Sequence, residues 1–484
     1  MAPLLALLLA ATVCGCSAMW SDGTVSVSLS YPSDNAAASG NAAASGITPA
    51  AAGLPSSPSP AYTLDPSNRI LIRVLGPHFA PIEAWFYRSE GRGVIPNVPP
   101  GERISVEVDE YDNTASTLGT NAPLLGRGWA RGIVLAPGEA KTVPVAMHAR
   151  GTIVTVCGAP PSGGAGTMGD TGDGGLDNEA LLGNPCSVKT GPDGALYVSS
   201  STYGKVKRID RYGYVSNFAG DGTHGTIALG APASSSPIGS VADIDIDPSG
   251  NIYLFNYWNQ VVKVSAGVVF AIPYDNGIYN PSARPNLAVA NDDLLYFVNY
   301  IDRRVYHLFQ TAKSDFVADG TPLGTASPYD RLHYPINGPS GVVYDPQSFS
   351  VLFADTENNR IMRVSLADGM VYDLVADPGG APFSEGIAPL AMAPVRPRIV
   401  DYNPITGKIF FVETASNRIL HIDAQNSVRV FAGTGNPGFS GDGGPATAAQ
   451  LYDPRAVAVD SRGNAYIADY GNHAVRMVVG GALP

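Results

Sequence analysis

Short alternating runs of apolar residues, separated by turn residues, recur along the last two thirds of the chain. In the clearest instance, after Pro454, residues 456–459, 465–468 and 474–478 alternate apolar side chains between clusters of Asp, Ser, Asn and Gly. This pattern predicts three short strands in an antiparallel meander. The second strand ends on one polar residue in every copy, namely Ser200, Asn256, Asn299, Asp355, Glu413 and Asp469. The copies lie about 43 to 58 residues apart, a period that indicates a propeller or a solenoid.

The number of strands predicts how the repeats close. A fourth strand follows five of the six copies, whereas the last copy stops at Val478 with almost no chain left. A matching strand, TIVTVCG, instead precedes the first copy. We therefore expect strand 152–156 to complete the last blade of a six-bladed ring. Radial stacking would bury both apolar faces of each blade and leave only short edges.

The stretch GDGGPATAAQLYDPRAVAVDSRGNAYIADYGNHAVRMV resembles an NHL repeat, and GDGGLDNEALLGNP before the first copy resembles a second lead-in loop of the same kind. The resemblance implies a six-bladed β-propeller over residues 150–484. It agrees with the strand count. Some NHL propellers bind RNA, but a formal net charge of −12 argues against a nucleic-acid partner.

The chain of 484 residues is longer than one hydrophobic core usually serves, so a second domain is expected. Alternating runs return between residues 70 and 147, and VPPGERISVEV resembles the small β-sandwich modules found ahead of propellers in surface lipoproteins. We assign residues 17–149 to such a sandwich. Residues 32–61 are rich in Ala, Ser, Gly and Pro and are expected to be a disordered insertion. The predicted fold class is all-β, with a six-bladed NHL β-propeller preceded by a small β-sandwich domain.

The first residues have the features of a targeting segment. Residues 4–13 form an apolar run too short to span a bilayer, and the following Val-Cys-Gly-Cys resembles a bacterial lipobox ending at Cys16. This predicts a signal peptide over residues 1–16, a lipid on Cys16, and an exported protein anchored in the bacterial cell envelope. The alternative is an ordinary secretory signal cut near Ala18.

The loops between blades are long and rich in Gly, Asp and Pro, whereas the loops at the opposite face are tight turns. Long loops on a rigid scaffold tend to carry function, so the long-loop face is the expected binding face. Each inner strand begins after a recurring proline, and polar residues there are expected to ring the channel mouth. The candidate binding residues are Asn286, Ser340, Arg398 and Arg455. They could hold an anionic group. In the alternative, the arginines bond to neighbouring loop groups.

The sequence gives little support for a catalytic function. Propeller lyases and lactonases need His or carboxylate ligands that converge near the channel, and only His224 and His333 fall in long loops. We therefore predict no catalytic residue, no metal and no cofactor. The predicted function is a monomeric, lipid-anchored module that binds an unidentified protein or small molecule. The alternative is a propeller lyase or hydrolase acting at the channel mouth.

Two further cysteines, Cys157 and Cys186, fall near the seam where the ring closes. Export permits a disulfide between them, which would clamp the seam. The alternative is two buried free thiols, with Cys157 in a place that Ala fills in the other copies.

Overall fold

The computed structural model describes residues 23–30, 67–90, 92–101, 103–112, 122–158, 167–258, 260–275, 286–291, 294–309, 312–317, 329–330, 334–375, 396–403, 406–423 and 427–483. Cys16 and the segment 32–61 lie outside these ranges. Within them, no helix reaches the length and apolar character that a membrane span requires.

The N-terminal domain is one seven-stranded sheet in the order β3-β2-β5-β6-β7-β1-β4, in which only β1 and β7 pair in parallel. Its strands are β1 (Gly23–Ser30), β2 (Arg69–Gly76), β3 (Phe79–Tyr87), β4 (Arg92–Val98), β5 (Arg103–Tyr111), β6 (Leu124–Val134) and β7 (Ala140–Ala149). The two end strands approach each other where Gly93 of β4 faces Phe86 of β3. The faces of the expected sandwich therefore belong to one nearly closed sheet around a Val- and Ile-rich core.

Six further sheets form the blades of the propeller, and the all-β six-bladed fold is confirmed. Blade one contains β9 (Pro185–Thr190), β10 (Leu196–Ser200), β11 (Lys205–Ile209) and β12 (Val215–Ala219). Blade two contains β13 (Val241–Ile246), β14 (Ile252–Asn256), β15 (Gln260–Ser265) and β16 (Val268–Asp275). Blade three contains β17 (Asn286–Asn291), β18 (Leu294–Asn299), β19 (Arg304–Phe309) and β20 (Ala312–Val317).

The remaining blades follow the same plan. Blade four contains β22 (Pro339–Asp345), β23 (Ser350–Asp355), β24 (Arg360–Ser365) and β25 (Met370–Val375), with the short β21 (Tyr329–Asp330) at its outer edge. Blade five contains β26 (Pro397–Tyr402), β27 (Ile409–Glu413), β28 (Arg418–Ile422) and β29 (Val428–Ala432). Blade six contains β30 (Pro454–Val459), β31 (Ala465–Asp469) and β32 (Ala474–Val478). The 3₁₀ turns are Arg88–Glu90, Asp177–Glu179, Ala233–Ser235, Thr356–Asn358, Thr414–Ser416, Ala446–Ala448 and Tyr470–Asn472.

Blade six takes its outer strand from the other end of the propeller sequence. Strand β8 (Ile153–Cys157) pairs antiparallel with β32, so that Ile153 lies opposite Val478. The backbone of Ile153 also exchanges hydrogen bonds of 2.9 Å with the lead-in loop of blade six, donating to Gly444 and accepting from Gly443. The ring is thus closed by backbone bonds between the two ends of the propeller.

Hydrophobic cores fill the spaces between neighbouring blades all the way round the ring. The core at the closure seam joins Cys157 and Val475 of blade six to Val188 and Val198 of blade one. Apolar burial therefore holds the disc together radially, because no blade could cover both of its faces alone.

The N-terminal sheet docks on the tight-turn face of blades six and one through ion pairs. Asp109 of β5, whose side chain is 1% exposed, accepts hydrogen bonds from Arg73, Arg127 and Arg462. Arg131 of β6 bonds to Asp177 in the lead-in loop of blade one. The two domains are therefore joined by buried charges as well as by the chain itself.

Candidate functional site

The six inner strands line the channel, and one residue of each strand lies at a common level of it. At this level three blades carry charged residues, Lys189, Asp245 and Asp401, and the other three carry Val289, Val343 and Ala458. All six line one cavity of about 370 Å³ that opens between the tight turns of the propeller. The rings of Tyr344 and Tyr402 add aromatic walls.

Lys189 is the central charged residue of this cavity. Its Nζ lies 3.4 Å from a carboxylate oxygen of Asp245 and 3.4 Å from one of Asp401, so blade one is linked to blades two and five across the channel. Burial acts to lower the pKa of Lys189, but the charges of Asp245, Asp401 and Asp243 together raise it above its ordinary value. Lys189 therefore stays cationic, and both contacts are long enough for a ligand group to compete for its donors.

Asp243 lies beside the cavity, on the inner strand of blade two. Its Oδ2 accepts hydrogen bonds from the side chain of Asn286 at 2.6 Å and from the backbone of Leu287 at 2.9 Å. Burial raises the pKa of Asp243 to about 7, and the charge of Lys189 offsets only part of that effect. Asp243 therefore changes protonation near neutral pH.

Asn286 and Ser340, two predicted ligand contacts, join one blade to the next. Asn286 bonds backwards to Asp243 of blade two, and its Oδ1 accepts the N–H of Val342 in blade four at 2.6 Å. The Ser340 hydroxyl donates to the carbonyl of Arg398 in blade five at 3.1 Å. Both side chains lie on inner strands, where their hydrogen bonds connect neighbouring blades.

The two arginines contact neighbouring loop groups, as the alternative interpretation expected. The carboxylate of Asp453 accepts a 2.8 Å hydrogen bond from Arg455 and lies 3.9 Å from the guanidinium of Arg398. The Arg455 guanidinium also stacks on the ring of Tyr470 and approaches the sulfur of Cys186 at 3.9 Å. Ligand binding by Asn286, Ser340, Arg398 and Arg455 stays a prediction.

The disulfide between Cys157 and Cys186 is not formed, which corrects that expectation. Both thiols are free and buried. Cys157 packs on the outer strand of blade six against Ala180 and Leu182, while Cys186 lies on an inner strand beside Arg455. The two thiols therefore occupy different radial layers of the ring, and burial raises the pKa of Cys157 to about 12.

The histidines in the described part of the chain do not converge. His224 stacks on Trp258 with ring centroids 3.8 Å apart, while burial lowers the pKa of His421 to about 4. His333 lies outside the described residues. Within the described ranges, no three His, Cys, Asp or Glu side chains come together as metal ligands would.

The Asp-Gly lead-in loops hold cationic side chains of the third strand. Asp442 of blade six accepts a 2.7 Å hydrogen bond from Arg476, and Asp173 of blade one accepts a 2.8 Å bond from Lys207 at the equivalent position. The side chains of Arg476 and Lys207 are 0% and 3% exposed. In both loops the aspartate thus neutralises a buried cation, a structural role.

Residues 451–476, from the end of this loop through most of β32, match the family model of the NHL repeat. The last blade is an NHL repeat. The chain as a whole is a six-bladed β-propeller with an N-terminal β domain. A comparison with curated protein sequences finds no match.

Solved structures share this fold at low sequence identity. A structural genomics protein of unknown function from Bacteroides thetaiotaomicron is 13% identical with a TM-score of 0.50, and the match covers 84% of this chain and 90% of that one. An auxiliary nutrient binding protein from Bacteroides ovatus is 15% identical with a TM-score of 0.50, covering 86% and 92%. Virginiamycin B lyase from Staphylococcus aureus is 10% identical with a TM-score of 0.38, covering 78% and 90%. The two likenesses with a TM-score of 0.50 concern the fold alone.

Sequence reasoning missed the charged level of the channel. Its signal lay in the inner strands, where Lys189, Asp245 and Asp401 replace the apolar residue that three blades keep. A charge on an otherwise apolar channel-facing position is costly unless it is paired or used. Aligning the six inner strands position by position would have singled out these residues.

Proposed function

We propose that this protein is an exported, lipid-anchored binding module that holds a small polar solute at the tight-turn mouth of its channel. The observation that carries the proposal is the cavity of about 370 Å³ around Lys189, Asp245 and Asp401. Its size falls in the range of small-molecule sites, which combine mostly apolar walls with a few convergent polar groups.

The chemistry of the cavity selects the class of solute. Lys189 offers donors, the carboxylates of Asp245 and Asp401 offer acceptors, and the rings of Tyr344 and Tyr402 offer flat apolar faces. The excess of carboxylates disfavours an anion. A solute with both donors and acceptors, such as a monosaccharide or a zwitterionic amino acid, fits this set. That an auxiliary nutrient binding protein has the same fold supports a nutrient-sized ligand.

Calorimetric titration of the mature protein, carrying Cys16→Ser for solubility, with a panel of monosaccharides and amino acids tests the proposal. We expect at least one class to bind, and Lys189→Met to weaken that binding at least tenfold. Lys141→Met, at a lysine whose side chain is 41% exposed on the N-terminal sheet, is the matched control and should leave binding unchanged. Asp401→Asn keeps the shape of the cavity, so a loss of binding there separates recognition from misfolding.

Absence of binding by every member of both classes at millimolar concentration would overturn the proposal. The alternative of a lyase or hydrolase at the channel mouth is favoured by one observation, the near-neutral pKa of Asp243 beside the cationic Lys189. Recovering the bound solute unchanged after prolonged incubation would exclude turnover.

Anchoring is a separate part of the proposal and rests on the lipobox-like Val-Cys-Gly-Cys ending at Cys16. A lipid on Cys16 would hold the protein at the membrane. Expression of the full chain in a bacterial host should place it in the membrane fraction, and Cys16→Ser should release it. Equal membrane partition of the two proteins would exclude Cys16 as the anchor while leaving solute binding untouched.

A further inference from the structure

A second cavity, of about 300 Å³, lies between the N-terminal sheet and blades six and one. Trp129 and Arg131 of β6 form one side, and Tyr466 of β31 forms the other. Pro192 lines both this cavity and the channel-mouth cavity, so the turn of blade one that carries it separates the two. The second cavity therefore exists only because the two domains dock.

Arg131 extends into this cavity, and its hydrogen bond to Asp177 uses only part of its set of N–H donors. Its Nη1 donates to Asp177, the one side chain in the described residues that is seen to accept a hydrogen bond from it. The Arg131 side chain keeps 24% of its surface accessible and lines the cavity. Gly213 makes this position possible, because a Cβ there would lie 2.2 Å from Cδ of Arg131. A guanidinium has five N–H donors in a planar fork.

The carboxylates around the cavity are already occupied. Asp193 accepts a 2.8 Å hydrogen bond from Arg208, and Asp210 accepts two backbone N–H bonds of 2.9 Å within its own turn. Asp460 does the same in the turn of blade six and also accepts the hydroxyl of Tyr466 at 3.1 Å. Burial lowers the pKa of Arg131 although the charges of Tyr466, Glu107 and Asp210 act to raise it, which indicates that its charge is incompletely compensated.

We propose that this interdomain cavity binds a small organic carboxylate, which Arg131 receives through its planar donor fork. The aromatic walls of Trp129 and Tyr466 would contact the organic body of the ligand. The carboxylate would share Arg131 with Asp177. This site is distinct from the channel mouth, because four arginines (Arg127, Arg131, Arg211 and Arg462) line it beside its carboxylates, whereas Lys189 is the one cation among the described residues that line the channel mouth.

Matched pairs of acids and their amides test the site, because each pair differs chiefly in charge. The probes are acetate, succinate and benzoate against acetamide, succinamide and benzamide, titrated calorimetrically into the mature protein. We expect at least one acid to bind at least tenfold more tightly than its amide. Arg131→Gln should abolish that preference, whereas Arg429→Gln, at an exposed arginine on blade five, should keep it.

Asp177→Asn should change the affinity for the acid in the opposite direction to Arg131→Gln. It removes the internal carboxylate that competes for Arg131, so the preferred acid should bind several-fold more tightly. If Arg131→Gln fails to fold, this variant alone decides: unchanged or weaker binding overturns the proposal. Equal affinity for acids and amides in the wild-type protein also overturns it. Lys189→Met should leave acid binding intact, so failure of the channel-mouth proposal is distinguishable from failure of this one.

Discussion

Nη2 of Arg462, in the tight turn between β30 and β31 of blade six, lies 2.9 Å from each carboxylate oxygen of Asp109 on the N-terminal sheet. Arg73 and Arg127 bond to the same carboxylate from within the N-terminal domain. Burial alone would raise the pKa of Asp109, but the charges of Arg462, Arg127 and Arg73 outweigh it and hold that pKa well below its usual range. One ionised carboxylate therefore couples the two domains.

Asp109→Asn should destabilise the protein by about 3–5 kcal/mol, because it leaves buried arginines without their counter-charge. The measurement is urea unfolding, followed by fluorescence, at pH 7. Glu83→Gln removes the other partner of Arg73, a carboxylate that is 49% exposed, and should cost at most about 1 kcal/mol. Equal losses of stability from the two substitutions would show that the buried carboxylate contributes no more than the exposed one.

The pH dependence of this coupling has a definite sign. A carboxyl whose pKa is lowered on folding stabilises the protein above its unfolded pKa, and the benefit disappears as the pH falls toward the folded pKa. The difference in unfolding free energy between wild type and Asp109→Asn should therefore be constant above about pH 5 and shrink in stronger acid. A difference that grew on acidification would contradict the assignment.

Arg476 offers a second test of buried charge, inside a single blade. It is fully buried, bonds to Asp442 at 2.7 Å, and lies 3.5 Å from the buried Asp469. Arg476→Met should cost about 3–5 kcal/mol, because it leaves Asp469 without its cation. Arg429→Met breaks a pair with Asp423 in which the arginine is 44% exposed, and should cost at most about 1 kcal/mol in the same unfolding assay. Similar losses would indicate that the lead-in loop does not depend on this ion pair.

The sequence predicts the propeller ring well, because each strand is specified by a local pattern of apolar residues. Alternation of apolar residues specifies strands, and the missing fourth strand after Val478 specifies the exchange with β8. A polar residue ends each second strand, and in blade six it holds the neighbouring loops. Asp469 accepts a 2.8 Å hydrogen bond from the side chain of Asn472 in the turn that follows and a 2.7 Å bond from the backbone N–H of Tyr452 in the lead-in loop.

The candidate sites were less predictable because they depend on contacts between distant parts of the chain. Lys189 meets Asp401 only when blades one and five face each other across the channel. Arg131 meets Asp177 only when the N-terminal sheet docks, and the repeat pattern contains no information about that docking. Asp177 also stands where the NHL lead-in of blade six carries Ala446, a departure that the domain contact explains.

Asp243 should make stability depend on pH near neutrality. The folded protein holds its proton up to about pH 7, whereas the unfolded chain releases it near the ordinary aspartate pKa of 3.8. The unfolded state therefore binds fewer protons between these values, and the stabilisation from this group falls as pH rises through that window. Compared with Asp243→Asn, the wild type should be relatively more stable at pH 5 than at pH 8. Parallel curves in urea unfolding would contradict the raised pKa.

The free thiols predict a two-step pattern of alkylation. In a protein with Cys14→Ser and Cys16→Ser, Cys157 and Cys186 are the only cysteines left. Cys157 is wholly buried with a pKa raised to about 12, so native protein at pH 8 should not react with iodoacetamide at this position within an hour. Unreduced protein in denaturant should take up two labels per chain, located by mass spectrometry. Cys157→Ala should cost less than about 1.5 kcal/mol, because Ala219 and Ala432 fill the equivalent place in blades one and five. Fewer than two labels in denaturant would mean that the thiols pair after all.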